Sequence, residues 1–267
     1  VLALSFLMSL SVTQPFETLM QAMDRIARGD LGKDLHLPGK NQFSRCAMAF
    51  NKMLEELREK EFISKFISRM ALNSLVDKSE KTQKESVTIM YCGIKNIDSL
   101  MENLPKEQAI KSLNQCLQII QNQVVQFGGS VDKFTGNASL CVFKHKSSLH
   151  QPLEAAIAIR DRMTEWLHQD EQINDAKLQV TVGIASGKVI LGHIGSEKRK
   201  DFTCIGNTVN LAARLGNIKL DELVHTQVLI ADKVIEDFPE YTRYSLTKHS
   251  NVSIKGKQSK QVFYELD

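Results

Sequence analysis

The sequence lacks the features of several large classes of protein. It has no dense run of lysine or arginine and no interleaved aromatic stripe, and its net charge is only +3, so nucleic-acid binding is not indicated. Its five cysteines are odd in number and widely spaced, with no Cys-x-x-Cys pair, which excludes a disulfide framework and the common zinc sites. No histidine ligand spacing, Ser/His/Asp or Cys/His arrangement is discernible. We therefore expect a cytosolic domain with reduced thiols, several of them in the core.

The chain opens with an apolar segment, residues 1–12. Twelve residues cannot cross a bilayer, which takes about 20 residues in a helix. A buried helix is one alternative, and a signal-peptide core is another, although neither a basic start nor a small-residue cleavage site is present. We interpret residues 1–12 as the cytoplasmic end of a transmembrane helix.

Two amphipathic helices are predicted after this segment. Their apolar seams consist of Phe16, Leu19, Met23 and Ile26 in the first helix and Phe43, Phe50 and Leu57 in the second. The first spacing (3, 4, 3) and the second spacing (7, 7) are typical of coiled coils. Gly29-Asp30 predicts the end of the first helix, and a polar connector with Pro38-Gly39 follows. Because neither short helix can bury its stripe alone, we expect pairing across a dimer.

Pro15, Gly29-Asp30-Leu31 and Ala49-Phe50-Asn51-Lys52-Met53 resemble a HAMP domain, the dimeric four-helix relay that follows transmembrane helices of bacterial receptors. One departure is Asn41-Gln42, where HAMP domains commonly have an Asp-Glu pair. An ordinary helical hairpin is the alternative. We assign residues 13–58 to HAMP and 59–84 to a coupling helix and linker. The resemblance implies membrane attachment through the N-terminal helix, with these residues on the cytoplasmic side of the cell inner membrane.

Residues 85–267 alternate strands with helices. The predicted strands are Val87–Ile94, Ser130–Phe134, Ala138–Phe143, Leu178–Ala185, Val189–His193 after a turn at Gly187, and a tail ending with Gln261–Glu265. The predicted helices are Glu107–Phe127, 151–168 and Asn207–Leu215. This order predicts an α+β sheet with helices on one face.

Three segments indicate the family of this region: Val87–Ile94, Gly128–Asn137 and Gly192–Leu215. Their order, spacing and residue identities resemble those of the class III adenylate/guanylate cyclases, especially bacterial adenylate cyclases. The resemblance covers residues 85–267 and implies a ferredoxin-like α+β fold. Diguanylate cyclases share that sheet topology, but no acidic pair follows Gly128-Gly129, so we exclude them.

One half of the family's site is present. The resemblance implies that Lys133 and Thr203 bind the base, that Asn210 orients the ribose, that Arg214 stabilises the transition state, and that Lys255 binds the terminal phosphates. Threonine at position 203 favours adenine over guanine. Asn210 and Arg214 lie one helical turn apart, and therefore on one face of a helix.

The other half, the family's pair of metal-binding aspartates, is replaced by Gly93 and Asn137. Glycine has no side chain, and a neutral amide does not offset metal charge. The family's Gly-Phe-Thr loop is also replaced, by Asn96-Ile97-Asp98. Asp98 and Asp132 are possible substitute ligands, but Asp98 lies past the strand end and Asp132 is expected to face differently from Asn137. We therefore expect Mg²⁺ or Mn²⁺ only if a partner chain supplies the ligands.

Three hypotheses follow for the function. The leading one is that the chain contributes half of an ATP-cyclising site to a heterodimer with an intact cyclase domain, while its homodimer is inactive or very weak. The second is a pseudocyclase that binds a nucleotide or partner without catalysis. The third is a working cyclase with relocated metal ligands. In all three, the HAMP and coupling helix would set the rotation between two cyclase domains.

Overall fold

The computed structural model describes residues 12–39, 41–64, 68, 71, 83–144, 150–169, 173, 177–197, 200–218, 226–237, 244–252 and 261–267. The chain divides into two compact units, Val1–Ile67 and Ser68–Asp267. The helices are α1 Gln14–Ala27, α2 Gln42–Ser64, α3 Ile97–Asn103, α4 Lys106–Gln126, α5 Gln151–His168, α6 Asn207–Leu215 and α7 Asp232–Asp237. The strands are β1 Gln83–Lys95, β2 Ser130–Phe134, β3 Ala138–Lys144, β4 Gln179–Gly195, β5 Lys200–Ile205, β6 Thr226–Ala231, β7 Leu246–Val252 and β8 Gln261–Leu266.

The first unit is a helix, an extended connector and a second helix. Pro15 stands in the first turn of α1, where its missing N–H leaves no helical bond unmade. Gly29, at φ +83°, follows the end of that helix. The buried core consists of Ala22, Leu35, Ala47, Phe50 and Leu54. Phe16 and Met23 are about half exposed, at 54% and 52%, so one chain alone buries only part of the predicted α1 seam.

Two asparagines organise this unit. Asn51 on α2 binds the connector through both ends of its amide: Nδ2 donates to the Leu35 carbonyl at 2.9 Å, and Oδ1 accepts the Leu35 N–H at 2.8 Å. Asn41 Oδ1 accepts the Ser44 N–H at 3.0 Å. Asn41 thus caps the start of α2 as an aspartate would, which explains how the helix begins without the Asp-Glu pair.

The structure describes only part of the predicted transmembrane end and coupling segment. Residues 1–11, nearly all of the proposed transmembrane end, lie outside the described residues. Among the helices that are described, none is both long and apolar enough to span a bilayer. Helix α2 runs past residue 58 to Ser64, so the helix continues into the predicted coupling segment.

The second unit is built on a mixed sheet of order β2-β3-β1-β4-β6-β8-β7, with β5 paired to β4. Strand β1 lies between β3 and β4 and is antiparallel to both. The succession β1–α4–β2 and β3–α5–β4 on this strand order is the split β-α-β arrangement of ferredoxin-like folds. Strand β6 continues the sheet in parallel with β4. The predicted α+β class is confirmed.

The predicted turn at Gly187 is wrong. Strand β4 runs unbroken through this residue for 17 residues, because pairing continues on both sides: Gly187 lies opposite Val87 of β1, and Ile190 lies opposite Ile205 of β5. The glycine has a different role. A Cβ here would lie 2.6 Å from the Thr208 hydroxyl oxygen, so its absence allows α6 to approach the strand.

A second glycine of β4 fixes the position of α6. A Cβ at Gly183 would lie only 2.2 Å from the Ala212 carbonyl oxygen and 2.3 Å from the Gly216 nitrogen at the end of that helix. The helix backbone therefore lies directly on the strand, in contact that only glycine allows. This close approach positions the residues on the exposed side of α6.

Candidate active site

The two predicted base-binding residues are brought together by a third residue, Asp132. The Thr203 hydroxyl, on β5, donates to Asp132 Oδ2 at 2.7 Å. The Lys133 ammonium, on β2, lies 3.7 Å from the same oxygen. The Asp132 side chain is fully buried, whereas that of Lys133 is 36% exposed. The three residues form one cluster, which we call the base cluster.

A β-bulge creates this cluster. Val131 pairs with Cys141, but the next paired residue of β2 is Lys133, opposite Leu140, so Asp132 is an extra residue in the strand. In a regular strand, successive side chains point to opposite faces, whereas a bulge re-aims them. The bulge explains how the neighbours Asp132 and Lys133 share one polar site.

The carboxylate of the base cluster lies in a costly environment. Burial raises the pKa of Asp132, while the Thr203 hydrogen bond and the Lys133 charge act in the opposite direction. Oδ1 of Asp132 has no hydrogen-bond partner among the described residues. Burial, with a contribution from the Asp132 charge, also raises the pKa of the neighbouring Cys204 to about 12. Buried polar atoms without a partner are rare in folded proteins.

Asn210 and Arg214 lie on α6, which begins two residues after β5 ends. The side of this helix formed by Thr208, Ala212 and Leu215 is buried. Asn210 is exposed and Arg214 is partly exposed. The helix thus presents both predicted residues on the side away from its buried contacts, as their spacing indicated.

The two degenerate metal positions are neighbours. Gly93 on β1 pairs with Ala138 on β3, and the Ile94 N–H donates to the Asn137 carbonyl at 2.8 Å. The Asn137 side-chain amide donates in turn to the Ile94 carbonyl at 2.7 Å. The side chain that stands at the second metal position is therefore engaged in a hydrogen bond within its own chain.

Other groups of the chain surround Gly93. A Cβ there would lie 3.1 Å from the Gly216 carbonyl oxygen, 3.2 Å from the Thr181 hydroxyl and 3.5 Å from the Lys95 ammonium. Lys95 donates to the side chain of Asn217, and burial lowers its pKa. A cation of the chain itself thus stands beside the first metal position.

The residues present do not fit a metal pair. Over the part of the chain that the structure describes, no group of three or more His, Cys, Asp or Glu could hold a metal ion. Asp132, one candidate substitute ligand, is buried and bonded to Thr203, whereas Asn137 is exposed. Asp98 is exposed in the first turn of α3.

Asn96 adopts the left-handed conformation, φ 61°, which asparagine tolerates better than most residues. The predicted phosphate ligand Lys255 lies outside the described residues.

Among the predicted site residues that the structure describes, Asn210 is exposed, Lys133 and Arg214 are partly exposed, and Thr203 is buried. A cavity of about 360 Å³ lies between β4, α6 and α7, and its lining includes Gly187, Thr208 and Asp232 but none of the predicted site residues. The sequence did not predict the roles of Asp132, Lys95 and Gly216, since their contacts depend on the bulge and on the packing of α6.

The fold is that of a nucleotidyl cyclase-type domain. The family model described as the adenylate and guanylate cyclase catalytic domain matches residues 79–266, and the HAMP domain model matches residues 7–59. The chain belongs to the adenylate and guanylate cyclase family and has an N-terminal HAMP domain. The resemblance noted in the sequence is confirmed.

Curated relatives are uncharacterized mycobacterial proteins. Rv1320c of Mycobacterium tuberculosis is 28% identical over 207 residues, covering 75% of this chain and 36% of that protein. Mb1352c of Mycobacterium bovis is 28% identical over 256 residues, covering 91% and 45%. This chain therefore spans less than half the length of either relative.

Solved cyclase structures share the fold. The adenylyl cyclase CyaB from P. aeruginosa superposes with a TM-score of 0.61 at 24% identity, covering 70% of this chain and 96% of that chain. A bacterial light-regulated adenylyl cyclase gives 0.70 at 17% identity, covering 92% and 78%. The guanylyl cyclase Cya2 gives 0.57 at 24% identity, covering 69% and 93%.

Proposed function

We propose that this chain contributes one half of an adenylate cyclase site. Its half binds the adenine, ribose and phosphates of ATP, and a partner cyclase domain supplies the two metal-binding aspartates. The observation that supports this most is the contrast between two clusters. Lys133 and Thr203 are organised around a buried carboxylate, whereas the described contacts of positions 93 and 137 are with backbone carbonyls, a hydroxyl and the Lys95 ammonium.

The reaction is an internal displacement at the α-phosphate. The ribose 3′-oxygen forms a bond to the α-phosphorus, the bond to the β-phosphate bridging oxygen breaks, pyrophosphate leaves, and the hydroxyl proton passes to solvent. Cyclases of this family generally use Mg²⁺ or Mn²⁺, whose ligands here would belong to the partner. The residues of this chain would bind and orient: Asn210 the ribose, Arg214 the charge that develops on the phosphate, and Lys255 the terminal phosphates.

Dimerisation and membrane attachment are part of the proposal. Lys133, Asn210 and Arg214 are at least partly exposed, and α1 exposes Phe16 and Met23, as expected if a second chain covers both regions. We place the chain at the cytoplasmic side of the cell inner membrane, attached through residues 1–12. Fractionation of cells that express the full-length protein tests this placement, and recovery in the soluble fraction would contradict it.

A second function, a nucleotide- or partner-binding output without catalysis, is favoured by a specific observation. The metal half is occupied by internal contacts: Asn137 with Ile94, Lys95 with Asn217, and the Gly216 carbonyl over Gly93. If this function holds, the chain binds ATP but produces no cyclic AMP in any mixture.

Complementation between two variants tests the half-site. The variant Gly93→Asp/Asn137→Asp/Arg214→Ala has aspartates but no transition-state arginine, and the wild-type chain has the arginine but no aspartates. With ATP and Mn²⁺, each alone should be silent, and a mixture should produce cyclic AMP. The matched control replaces the wild type with Arg214→Ala, and that mixture should stay silent.

Three results would contradict the half-site. Cyclic AMP from the wild type alone would mean that other carboxylates bind the metals. A silent mixture beside an active Gly93→Asp/Asn137→Asp homodimer would mean that the site is not shared between chains. Silence in every sample, with ATP still bound, would favour the second function.

A further inference from the structure

The buried carboxylate of the base cluster has no role in the proposed function so far. We infer that Asp132 is a positioning residue that makes Thr203 a hydrogen-bond acceptor toward the base, so that the site selects adenine. This inference rests on the proposed function, which places the base of ATP at Lys133 and Thr203.

The geometry fixes the direction of one hydrogen bond. A threonine hydroxyl has one hydrogen to donate and two lone pairs that accept, whereas an ionised carboxylate only accepts. At 2.7 Å from Asp132 Oδ2, the Thr203 hydrogen is committed to the carboxylate. Only the lone pairs of Thr203 are then available to a ligand.

The resulting pattern matches one purine. Adenine presents an amino donor at C6 and an acceptor at N1, whereas guanine presents an acceptor at O6 and a donor at N1–H. The Lys133 ammonium can only donate. Thr203 as acceptor and Lys133 as donor thus complement adenine at both positions and oppose guanine at both.

Burial means that Asp132 acts through Thr203. Its side chain is fully buried, so it does not reach a ligand on the surface. A carboxylate with one oxygen that has no partner among the described residues is expensive to bury, and a neutral partner would hold Thr203 at lower cost. The negative charge does what a neutral amide cannot, since an amide can also donate to Thr203 and release the hydroxyl hydrogen toward the base.

The test compares ATP with inosine triphosphate, which differs from ATP in having a C6 oxygen and N1–H. Binding to the full chain is measured by saturation-transfer NMR and competition titration for the wild type, Asp132→Asn, Thr203→Val and the double variant. We expect the wild type to prefer ATP by roughly tenfold or more, as for a mismatched polar contact. Asp132→Asn should lower this preference by about fivefold, and it should have no further effect in the Thr203→Val background.

Two controls separate positioning from general damage. Asp201→Asn removes the same charge from an exposed residue of β5 and should leave the preference unchanged. Thr203→Ser keeps the hydroxyl and should retain the preference. An unchanged preference in Asp132→Asn, with thermal unfolding like that of the wild type, would overturn this inference and leave the half-site standing. Failure of the wild type to bind ATP would overturn both.

Discussion

Restoring the two aspartates should give this chain a metal site that can be detected without any activity measurement. In Gly93→Asp/Asn137→Asp, one new carboxylate would lie on β1 and the other on the residue before β3, which is hydrogen-bonded to Ile94 next to position 93. Like charges this close repel each other, which lowers stability until a divalent cation binds. We therefore expect Mn²⁺ to stabilise the double variant and to leave the wild type unchanged.

The expected change in stability of the double variant is set by two opposing effects, a steric cost and a gain from Mn²⁺ binding. A Cβ at position 93 lies 3.1 Å from the Gly216 carbonyl, so α6 must shift by a few tenths of an ångström, at a cost of about 1–3 kcal/mol. Mn²⁺ at 100 times its dissociation constant should stabilise the folded variant by about 2.7 kcal/mol. For a domain of this size that corresponds to a rise in Tm of roughly 5–10 °C.

The assay is thermal unfolding with and without Mn²⁺. Gly93→Ala/Asn137→Asp is the matched control, because it introduces the same Cβ contact without the second carboxylate. It should show the steric loss of stability but little of the Mn²⁺ gain. Equal stabilisation of the wild type by Mn²⁺ would refute our interpretation of positions 93 and 137. So would a double variant that Mn²⁺ does not stabilise.

Three further predictions concern the fold and the base cluster. Gly183→Ala should lower the free energy of unfolding, measured by urea denaturation, by about 3 kcal/mol or more, because its methyl group would clash with backbone atoms at the end of α6. The control Gly136→Ala has open space around the new methyl group but a φ of +64°, and it should lower the same free energy by only about 1 kcal/mol. Asn51→Ala removes both hydrogen bonds to Leu35 and should speed hydrogen exchange of the Leu35 amide by about tenfold. An unchanged exchange rate would contradict the idea that Asn51 holds the connector against α2. Burial raises the pKa of Asp132, so the folded chain binds this proton more tightly than the unfolded chain. The free energy of unfolding of the wild type, relative to that of Asp132→Asn, should therefore fall as pH rises from the ordinary aspartate pKa through the raised one. A difference between the two free energies that is constant with pH would contradict this prediction.

Much of the second unit could be predicted from the sequence because its elements have strong local signals. The predicted bounds of Ser130–Phe134 and Asn207–Leu215 are those observed. Both lie between glycines or turns that stop the element, and Asn207–Leu215 also has an apolar pattern of helical period. At Gly187 the same reasoning failed. Glycine within a strand can mark either a turn or a close backbone approach, and only the tertiary contact with α6 decides between them.

The base cluster marks a second limit of sequence reasoning. Strand alternation places Asp132 and Lys133 on opposite faces, and nothing local to β2 indicates the bulge that gathers them. The hydrogen bond to Thr203 joins residues 71 positions apart, so it depends on where β5 lies. The sequence therefore predicts two base-binding residues, Lys133 and Thr203, but not the buried carboxylate that contacts both.

The two halves of the site differ in how they are built, and that difference bears on the function. Around Lys133 and Thr203 the chain maintains a bulge and a buried carboxylate with an unpartnered oxygen, features that cost stability. Around Gly93 the contacts are formed by an asparagine–backbone hydrogen bond, a lysine–asparagine pair and the backbone at the end of a helix. A domain that no longer recognises a nucleotide has no physical need for the first arrangement. The costly burial of this carboxylate therefore favours a chain that still binds the base and leaves metal binding to another chain.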